Sequence, residues 1–380
     1  MTRHLLVCAD SIQEWEAALE VSSNRPRLPL PYIFGAAFYK QGHRLSAVTR
    51  SLTTNSGAGR SIFEKTYKRH ELAKAMKQAD FALLWATMGI SAISTQVLSL
   101  LGFRNVLLAS YVWDLKAMPT FKKRLLGWAT QRAARYSKGI VVMTGEQEEQ
   151  ARKSLPLLIP VLKCTVGVDT AFYQHAAHFT DVPQEYQADI HNLLKAPYVI
   201  MLGDEQRLNE DAIDIAQSAK VNFVRVCQYA NSEKMAWLRE EINRRALGGR
   251  FLIFEKAKYP FLRFLLQNAA AYAGLVDSFW QPAGWTAACE CLASGLPVVL
   301  YEGLVSRELV RLGAGDFIKV ISRGDKRSFG LALDLFCNNK EALRLRKTRQ
   351  TYSATQLDLE KTGADFVAKF ESHFESDHNS

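Results

Sequence analysis

Glu290 lies in the part of the chain whose residue types are best suited to binding a nucleotide. It stands in a run of small residues that follows Gly284 and ends at the turn 294–297. The run predicts a helix, whose first turn carries unpaired N–H groups and a partial positive charge that attract a diphosphate. Gly284 and Ala287 would let a ligand approach the backbone, and a carboxylate one to two turns into the helix can accept both hydroxyls of a ribose. The alternative is a buried helix that ends at an ordinary glycine–proline stop signal.

The whole segment 278–310 resembles the donor-binding signature of the retaining GT-B glycosyltransferases, family 4 and its relatives. That signature reads Pro-Ser-x-x-Glu, a glycine-containing turn, Glu-Ala-Met-Ala-x-Gly-x-Pro-Val-Val and, further on, Glu-x-Val. The chain departs from this signature at the first glutamate. Gln281 stands where that glutamate is expected, but one extra residue separates it from Glu290. Pro282 occupies the position that has the family's strict spacing from Glu290. The matching positions are Ser278, Gly284, Glu290, Ala293, Gly295, Pro297, Val298, Val299, Glu308 and Val310.

Three further segments resemble the same family. Residues 34–44 resemble its first helix, which ends in Gly-His, and residues 140–146 resemble its strand and loop at the interdomain cleft. Residues 166–169, followed by Phe172, resemble the Gly-Val-Asp-x-x-x-Phe segment that joins the two domains. The resemblance is specific in 139–173 and 278–310, and it is weak before residue 80.

The elements that must position these residues also indicate two α/β domains. A length of 380 residues favours two domains, and alternating strands and helices in both halves predict parallel sheets. Helices are expected at 31–41, 119–137 and 353–374. Strands are expected at 4–8, 45–49, 81–86, 106–111, 139–143, 198–203, 222–227, 251–255, 275–279, 297–300 and 317–320.

The resemblance implies an α/β protein of the GT-B fold, in which two Rossmann-like domains turn their parallel sheets towards an interdomain cleft. Residues 1–165 would form the acceptor-binding domain and residues 166–350 the nucleotide-sugar-binding domain. Residues 351–376 would form a helix that crosses back to the N-terminal domain. The donor-binding residues implied in this way are Glu290, Gln281, Gly284, Trp285, Thr286, Ala287, Lys256 and Glu308.

Two further residues are candidates for catalysis. Arg207 is the only cation in the loop 203–209, where the family carries an arginine and a lysine. A guanidinium there would stabilise the departing diphosphate in bidentate form, although a solvated loop arginine is the alternative. Asp114 stands where relatives carry a cleft-facing polar residue and could accept the proton of the acceptor hydroxyl, although it could equally cap the helix that follows.

No cofactor or metal is expected, and the nucleotide-sugar would be a co-substrate. The chain contains no Asp-x-Asp motif, and its histidines lack metal-ligand spacing. The six cysteines are scattered, which favours a reduced, cytoplasmic protein. Because the N-terminus leads directly into a predicted strand, no signal peptide is expected. The uncharged run 81–103 could span a bilayer by its length, but its polar residues favour a strand, a buried helix and a second strand.

The net charge of +10 is unevenly distributed. Residues 116–138 contain seven basic and no acidic side chains, and Phe121, Leu125 and Trp128 share one face of the predicted helix. Such a helix could lie on an anionic membrane, at the inner face of the plasma membrane. A solvated basic face is the alternative. A nucleic-acid partner is not expected, because no binding motif accompanies the charge.

The resemblance implies transfer of a sugar from a nucleotide-sugar donor to a hydroxyl of an acceptor saccharide, with retention of configuration. The acceptor would be a lipid-linked saccharide in polysaccharide biosynthesis. Gln281 cannot carry the charge of the family's glutamate, so a non-catalytic GT-B partner that binds sugar or nucleotide is an alternative. A nucleotide-sugar epimerase of the same fold is another, although the paired acid and base that it requires are not evident.

Overall fold

The structure is a computed structural model in which two parallel sheets organise the chain. The described residues are 2–9, 12–49, 62–86, 97–110, 113, 118, 120–203, 208–219, 221–227, 232–276, 281–338 and 344–374. Within them, no helix is long and apolar enough to cross a membrane.

The first sheet has the strand order β3-β2-β1-β4-β5-β6-β7, and every neighbouring pair is parallel. β1 is an interior strand of this sheet, where Leu5 pairs with Leu45 on one side and Phe81 on the other. The central strands are apolar because helices cover both faces of the sheet. The strands are β1 (His4–Ala9), β2 (Arg44–Thr49), β3 (Lys65–Lys68), β4 (Phe81–Ala86), β5 (Val106–Ser110), β6 (Gly139–Val142) and β7 (Val161–Lys163).

The second sheet has the order β10-β9-β8-β11-β12-β13 and is also parallel throughout. Its first strand, β8, therefore lies between β9 and β11, at the point where the strand order reverses. In open parallel sheets, ligands bind at the carboxyl ends of the strands at this position. The strands are β8 (Tyr198–Leu202), β9 (Asn222–Cys227), β10 (Phe251–Glu255), β11 (Ala271–Gly274), β12 (Val298–Tyr301) and β13 (Ile318–Ile321).

Helices lie in the connections between parallel strands, which need crossovers and not tight turns. In the first half they are α1 (Ile12–Glu16), α2 (Pro29–Pro31), a π-helical turn (Tyr32–Ala36), α3 (Ala37–Lys40), α4 (Leu72–Gln78), α5 (Phe121–Ala134), α6 (Gly145–Ser154) and α7 (Thr170–Gln174). In the second half they are α8 (Gln187–Leu193), α9 (Asn209–Ser218), α10 (Ser232–Arg244), α11 (Tyr259–Asn268), α12 (Trp285–Ala293), α13 (Leu304–Arg311), α14 (Lys326–Asn338), α15 (Arg346–Gln356) and α16 (Leu359–Phe374).

The structure corrects several sequence-based expectations. β3 and β7 were not predicted, because β3 carries lysines at both ends and β7 has only three residues. A strand begins earlier than expected, at Ala271–Gly274, because a continuous apolar run does not reveal where pairing begins. Residues 277–279 of the strand expected at 275–279 lie outside the described residues. The single helix expected at 353–374 is two helices that meet at Leu357 and Asp358.

The predicted glycine stop of the first long helix is present. Gly42 has a φ of 83°, a conformation that favours glycine. The N–H of His43 bonds the carbonyl of Phe38 at 3.0 Å, and the N–H of Gly42 bonds that of Tyr39 at 3.0 Å. This pair of bonds is the Schellman arrangement that closes a helix C-terminus.

The last helix, α16, packs against the first sheet. The rings of Phe370 and Phe374 each lie 4.8 Å from the ring of Phe81 on β4, and Phe366 lies 5.3 Å from Phe34. Before α16, the chain bonds to the segment that leaves the first sheet, since the N–H of Val168 bonds the carbonyl of Leu357 at 2.8 Å. The two segments in which the chain passes from one half to the other, before α7 and before α16, are therefore hydrogen-bonded to each other.

Candidate active site

A cavity of about 440 Å³ lies where the carboxyl ends of β8 and β9 face the end of β6. Its position at the reversal of strand order is the usual ligand site of such sheets, and its volume is within the range of small-molecule pockets. It takes lining residues from both halves of the chain. They are Met143, Leu202, Gly203, Val226, Tyr259, Leu262, Gln281, Pro282, Ala283, Gly284, Trp285, Thr286, Ala287 and Glu290.

The first turn of α12 forms one wall of this cavity. Gly284, at the N-cap, has a φ of 85°, and it supplies no side chain that could cap the turn 285–287. Trp285 is buried, and its Nε1 donates to the carbonyl of Val166 at 2.6 Å. This bond holds the start of the helix against the segment that joins the two halves. The positive end of a helix is thereby held at the cavity wall.

Glu290 lies in the second turn of α12 and also lines the cavity. Its Oε1 accepts a hydrogen bond from the hydroxyl of Tyr173 at 2.6 Å. Burial raises the pKa of Glu290 to about 7, against the lowering effect of the bond from Tyr173. Burial and the neighbouring carboxyl group raise the pKa of Tyr173, which therefore stays a donor. The carboxyl group of Glu290 can be neutral or ionised near neutral pH.

Tyr173 belongs to the joining segment, and the sequence analysis missed its role. Counted strictly, the spacing of Gly-Val-Asp-x-x-x-Phe places the aromatic residue at Tyr173 and not at Phe172. Phe172 instead lies under the guanidinium of Arg263, at 4.7 Å. A strict count of this spacing would have pointed to Tyr173. A tyrosine at this position also has a hydroxyl that the family's phenylalanine lacks.

Solved structures of similar architecture cover almost the entire chain. HepE of Anabaena, in complex with UDP and glucose, gives a TM-score of 0.71 at 12% identity, over 97% of this chain and 100% of that one. Sucrose-phosphate synthase of Thermosynechococcus elongatus gives 0.69 at 12% identity, over 98% and 100%. The α,α-trehalose 6-phosphate synthase of Burkholderia multivorans gives 0.68 at 12%, over 99% and 100%. The chain has the GT-B fold.

No family model and no curated protein matches the sequence. The comparisons confirm the GT-B resemblance and the α/β class. At such low identity they establish the fold, and function has to be argued from the site.

Within this GT-B frame, the structure brings six of the eight implied donor-binding residues to one cavity. They are Gln281, Gly284, Trp285, Thr286, Ala287 and Glu290. Lys256 is exposed just after β10, with a φ of 54°, and its N–H bonds the carbonyl of Cys227 at 2.7 Å. It is not among the described residues that line the cavity. Met143 belongs to the segment 140–146 that the sequence analysis assigned to the interdomain cleft, whereas Val226, Tyr259 and Leu262 were not singled out for the cavity.

Glu308 lies at a contact between the two halves. Its carboxylate is buried, with 2% of the side chain exposed, and it pairs with Lys163 on β7 at 3.1 Å. Its Oε2 also accepts the N–H of Gly145 at 2.8 Å, at the N-terminus of α6. Two exposed ion pairs flank this contact, Arg307 with Glu146 and Arg311 with Glu149. Glu308 is therefore placed to join α13 to α6 beside the cleft.

Asp114 and Arg207 lie outside the described residues, so their predicted roles stay predictions. Among the described lining residues of the cavity there is no lysine or arginine. Within the same part of the chain, no group of three or more histidine, cysteine, aspartate or glutamate side chains is placed to hold a metal ion.

Proposed function

We propose that this chain is a glycosyltransferase that takes a sugar from a nucleotide-sugar donor. One observation carries the proposal: Glu290 lies one turn below the open start of α12, in a cavity at the reversal of the second sheet. A diphosphate at the helix start and a ribose at the carboxylate fit this arrangement. HepE, which shares the fold, is known in complex with UDP-glucose, and UDP-glucose is therefore the first donor to test.

Different residues of the chain would bind different parts of the donor. The first turn of α12, Trp285 to Ala287, would bind the diphosphate, and Gln281 would contact the sugar. We propose that Arg207 stabilises the charge that develops on the departing diphosphate and that Asp114 contacts the acceptor hydroxyl. Direct donor contacts by Lys256 and Glu308 stay predictions. Retention of configuration and metal-independent transfer also belong to the proposal.

The decisive experiment combines binding and turnover. A saturating donor at one hundred times its Kd should stabilise the protein by about 2.7 kcal/mol, which a thermal-shift panel of UDP-, GDP-, ADP- and CMP-sugars would detect. The stabilising donor should then release its nucleotide when an acceptor saccharide is added. If a donor stabilises the protein but no acceptor causes release of its nucleotide, the non-catalytic partner is favoured. If no donor of the panel stabilises the protein, both the glycosyltransferase and the non-catalytic partner are contradicted.

Replacing Gln281 with alanine should separate the sugar from the nucleotide. We expect weaker binding of the intact nucleotide-sugar by about 0.5–1.5 kcal/mol, the usual net value of a hydrogen bond. Binding of the free nucleoside diphosphate should hardly change. Titration calorimetry with both ligands measures the difference. Equal losses for the two ligands would show that Gln281 does not contact the sugar.

Replacing Tyr173 with phenylalanine should shift the pH dependence of nucleoside binding. Only the ionised Glu290 accepts both ribose hydroxyls, so binding should strengthen as the pH rises through about 7. The variant loses the hydrogen bond that favours ionisation, so its midpoint should lie at higher pH. Among the described residues, Tyr259, Cys289 and Cys291 are further titratable groups coupled to this pair, and all three stay unchanged.

The measurement is the Kd of an unphosphorylated nucleoside across the neutral pH range. A nucleoside avoids the titration of the phosphate, so the midpoint reports on the protein. Coinciding midpoints for wild type and Tyr173→Phe would contradict the proposed coupling.

For the acceptor we propose a lipid-linked saccharide at an anionic membrane, approached through residues 116–138. Helix α5 follows the N-cap Thr120, and three of its large apolar side chains are at least half exposed to solvent. Phe121 is 81% exposed, Leu125 52% and Trp128 50%. Arg132 lies over the ring of Trp128 at 5.6 Å. An exposed apolar face with basic neighbours is typical of helices that lie in a membrane interface.

Charge reversal on α5 tests this proposal. Exchange of Lys122, Lys123 and Arg124 for glutamate should strongly reduce sedimentation with anionic vesicles at low salt, because each cation near such a surface contributes about 1 kcal/mol. Donor binding should not change, since the cavity lies elsewhere. A wild type that ignores these vesicles at low salt would contradict the membrane proposal.

A further inference from the structure

The edge of the first sheet that faces away from the cavity exposes apolar side chains in three successive connections. Leu100 and Leu101, which precede β5, are 84% and 67% exposed. Tyr136, which precedes β6, is 47% exposed. Leu157 and Leu158, which precede β7, are 100% and 93% exposed. Since β5, β6 and β7 are neighbours in the sheet, the three connections lie side by side. We call this surface the amino edge.

The leucines before β7 occupy an unusual position. The N–H of Ile159 bonds the carbonyl of Pro156 at 3.0 Å, so Leu157 and Leu158 are the two central residues of a tight turn. Such positions normally carry glycine, asparagine, aspartate or serine, which suit the turn and water. Two leucines there gain nothing from the fold, because almost none of their surface is buried.

A basic groove lies between these connections. It has a volume of about 560 Å³, and residues from all three connections and from the end of α16 line it. Its cations are Arg104, Arg135 and Lys138, His373 also lines it, and no acidic residue is among its described lining residues. An adjoining groove shares Arg104 and Lys138 and adds one cation and one anion, Lys77 and Asp80. The combined surface therefore favours an anionic ligand.

Exposed leucines around a basic groove match the chemistry of an anionic bilayer. Phosphate groups of the lipids would meet the cations, while the leucines would enter the boundary between headgroups and acyl chains. Apolar patches rimmed by polar residues also mark protein interfaces. The leucines, however, project from two separate connections on either side of a cationic groove, and this spacing suits a fluid layer of lipids with phosphates at its surface.

We propose that the amino edge docks on an anionic phospholipid bilayer, with Leu100, Leu101, Leu157 and Leu158 inserted and a lipid phosphate in the groove. This inference rests on the proposed membrane association and locates it at a second, apolar contact, which begins just after the C-terminal end of α5. It does not depend on the proposed transfer reaction.

Docking at this edge has a consequence for the acceptor. The cavity lies at the carboxyl ends of the strands, and strands of three to six residues at ~3.3 Å per residue separate the two edges by roughly 10–20 Å. The cleft then opens away from the bilayer. A lipid-linked acceptor would reach it through several sugar units, so the inference favours an extended saccharide over a sugar bound directly to the lipid.

The test compares three variants of the full chain by sedimentation with vesicles of phosphatidylglycerol and phosphatidylcholine in equal parts. The first replaces Leu100, Leu101, Leu157 and Leu158 with serine, and the second is Arg104→Glu with Arg135→Glu. The charge-reversed α5 variant (Lys122, Lys123 and Arg124 to glutamate) serves as the matched control. Because all these side chains are on the surface, the variants should fold, and an unchanged thermal transition verifies this.

Salt separates the two contributions to vesicle binding. Added salt screens the cations of α5 within a Debye length, ~10 Å at 0.1 M, but it does not weaken the burial of leucine. We expect the wild type to keep a salt-resistant fraction of binding that the serine variant loses, with a drop of about tenfold or more in the partition coefficient. The groove variant should bind less than the wild type at low salt, where its exposed cations are not screened, and the α5 control should keep the salt-resistant fraction.

Three results would overturn the inference. The first is a serine variant that binds like the wild type at high salt, and the second is a groove variant that binds like the wild type throughout. The third is a wild type that does not bind the vesicles, a result that would favour a protein partner for the amino edge. Donor-induced stabilisation is measured on the same samples, so a failure of the membrane contact is distinguishable from a failure of the proposed reaction.

Discussion

Replacement of Glu290 by glutamine is expected to weaken nucleoside diphosphate binding by about 1.5–3 kcal/mol, the range for a hydrogen bond to a charged group. That loss corresponds to roughly a tenfold to more than hundredfold rise in Kd. The carboxylate accepts from both ribose hydroxyls, whereas the amide keeps a single acceptor oxygen. The fold should persist, because glutamine has the same shape and its oxygen can still accept from Tyr173.

Because the pKa of Glu290 is raised to about 7, the loss of affinity should depend on pH. Well above that pH the wild-type carboxylate is ionised and the full loss should appear in a calorimetric titration. Well below it, the wild-type carboxyl group is already protonated and the two proteins should bind more nearly alike. Glu302, which is exposed on the segment after β12, supplies the matched Glu→Gln control. An unchanged Kd for Glu290→Gln at high pH would contradict the ribose assignment.

Replacement of Arg27 by alanine is expected to destabilise the protein by about 3–5 kcal/mol, because it leaves a buried charge without its partner. Arg27 and Asp169 are almost fully buried, with 4% and 1% of their side chains exposed. The guanidinium meets the carboxylate through Nε at 3.0 Å and Nη2 at 3.1 Å. Nη1 also reaches Glu360, at the start of α16, at 2.6 Å. One side chain thus holds the N-terminal region, the joining segment and the last helix together.

Thermal and urea denaturation measure this loss, and the chain offers a control at the same carboxylate. Lys40 pairs with Glu360 at 3.2 Å, but both side chains are about half exposed. An exposed pair contributes only ~0–1 kcal/mol, so Lys40→Ala should change stability little. Similar losses for Arg27→Ala and Lys40→Ala would show that burial of the Asp169 pair does not hold the segments together.

Local features of the sequence predicted the parts of the site that lie within one segment. The small residues after Gly284 indicate a helix start, and the position of Glu290 within that helix follows from the count alone. The apolar runs at Tyr198 and Val298 indicate buried parallel strands because such strands are covered on both faces. The run before Asp277 is the exception. Its apolar residues are continuous, and only pairing with β8 and β12 places the strand at Ala271–Gly274.

The class of the fold, the order of most of its elements and the helix that carries Glu290 therefore follow from the amino-acid sequence alone. These follow from periodicity, capping and turn residues, which act within a few positions of one another. Which distant side chains contact each other depends on the tertiary structure. Tyr173 and Glu290 are 117 positions apart, and Glu308 is 163 positions from Gly145. Such contacts depend on how crossovers return separate elements to a common edge, and no local pattern encodes that distance.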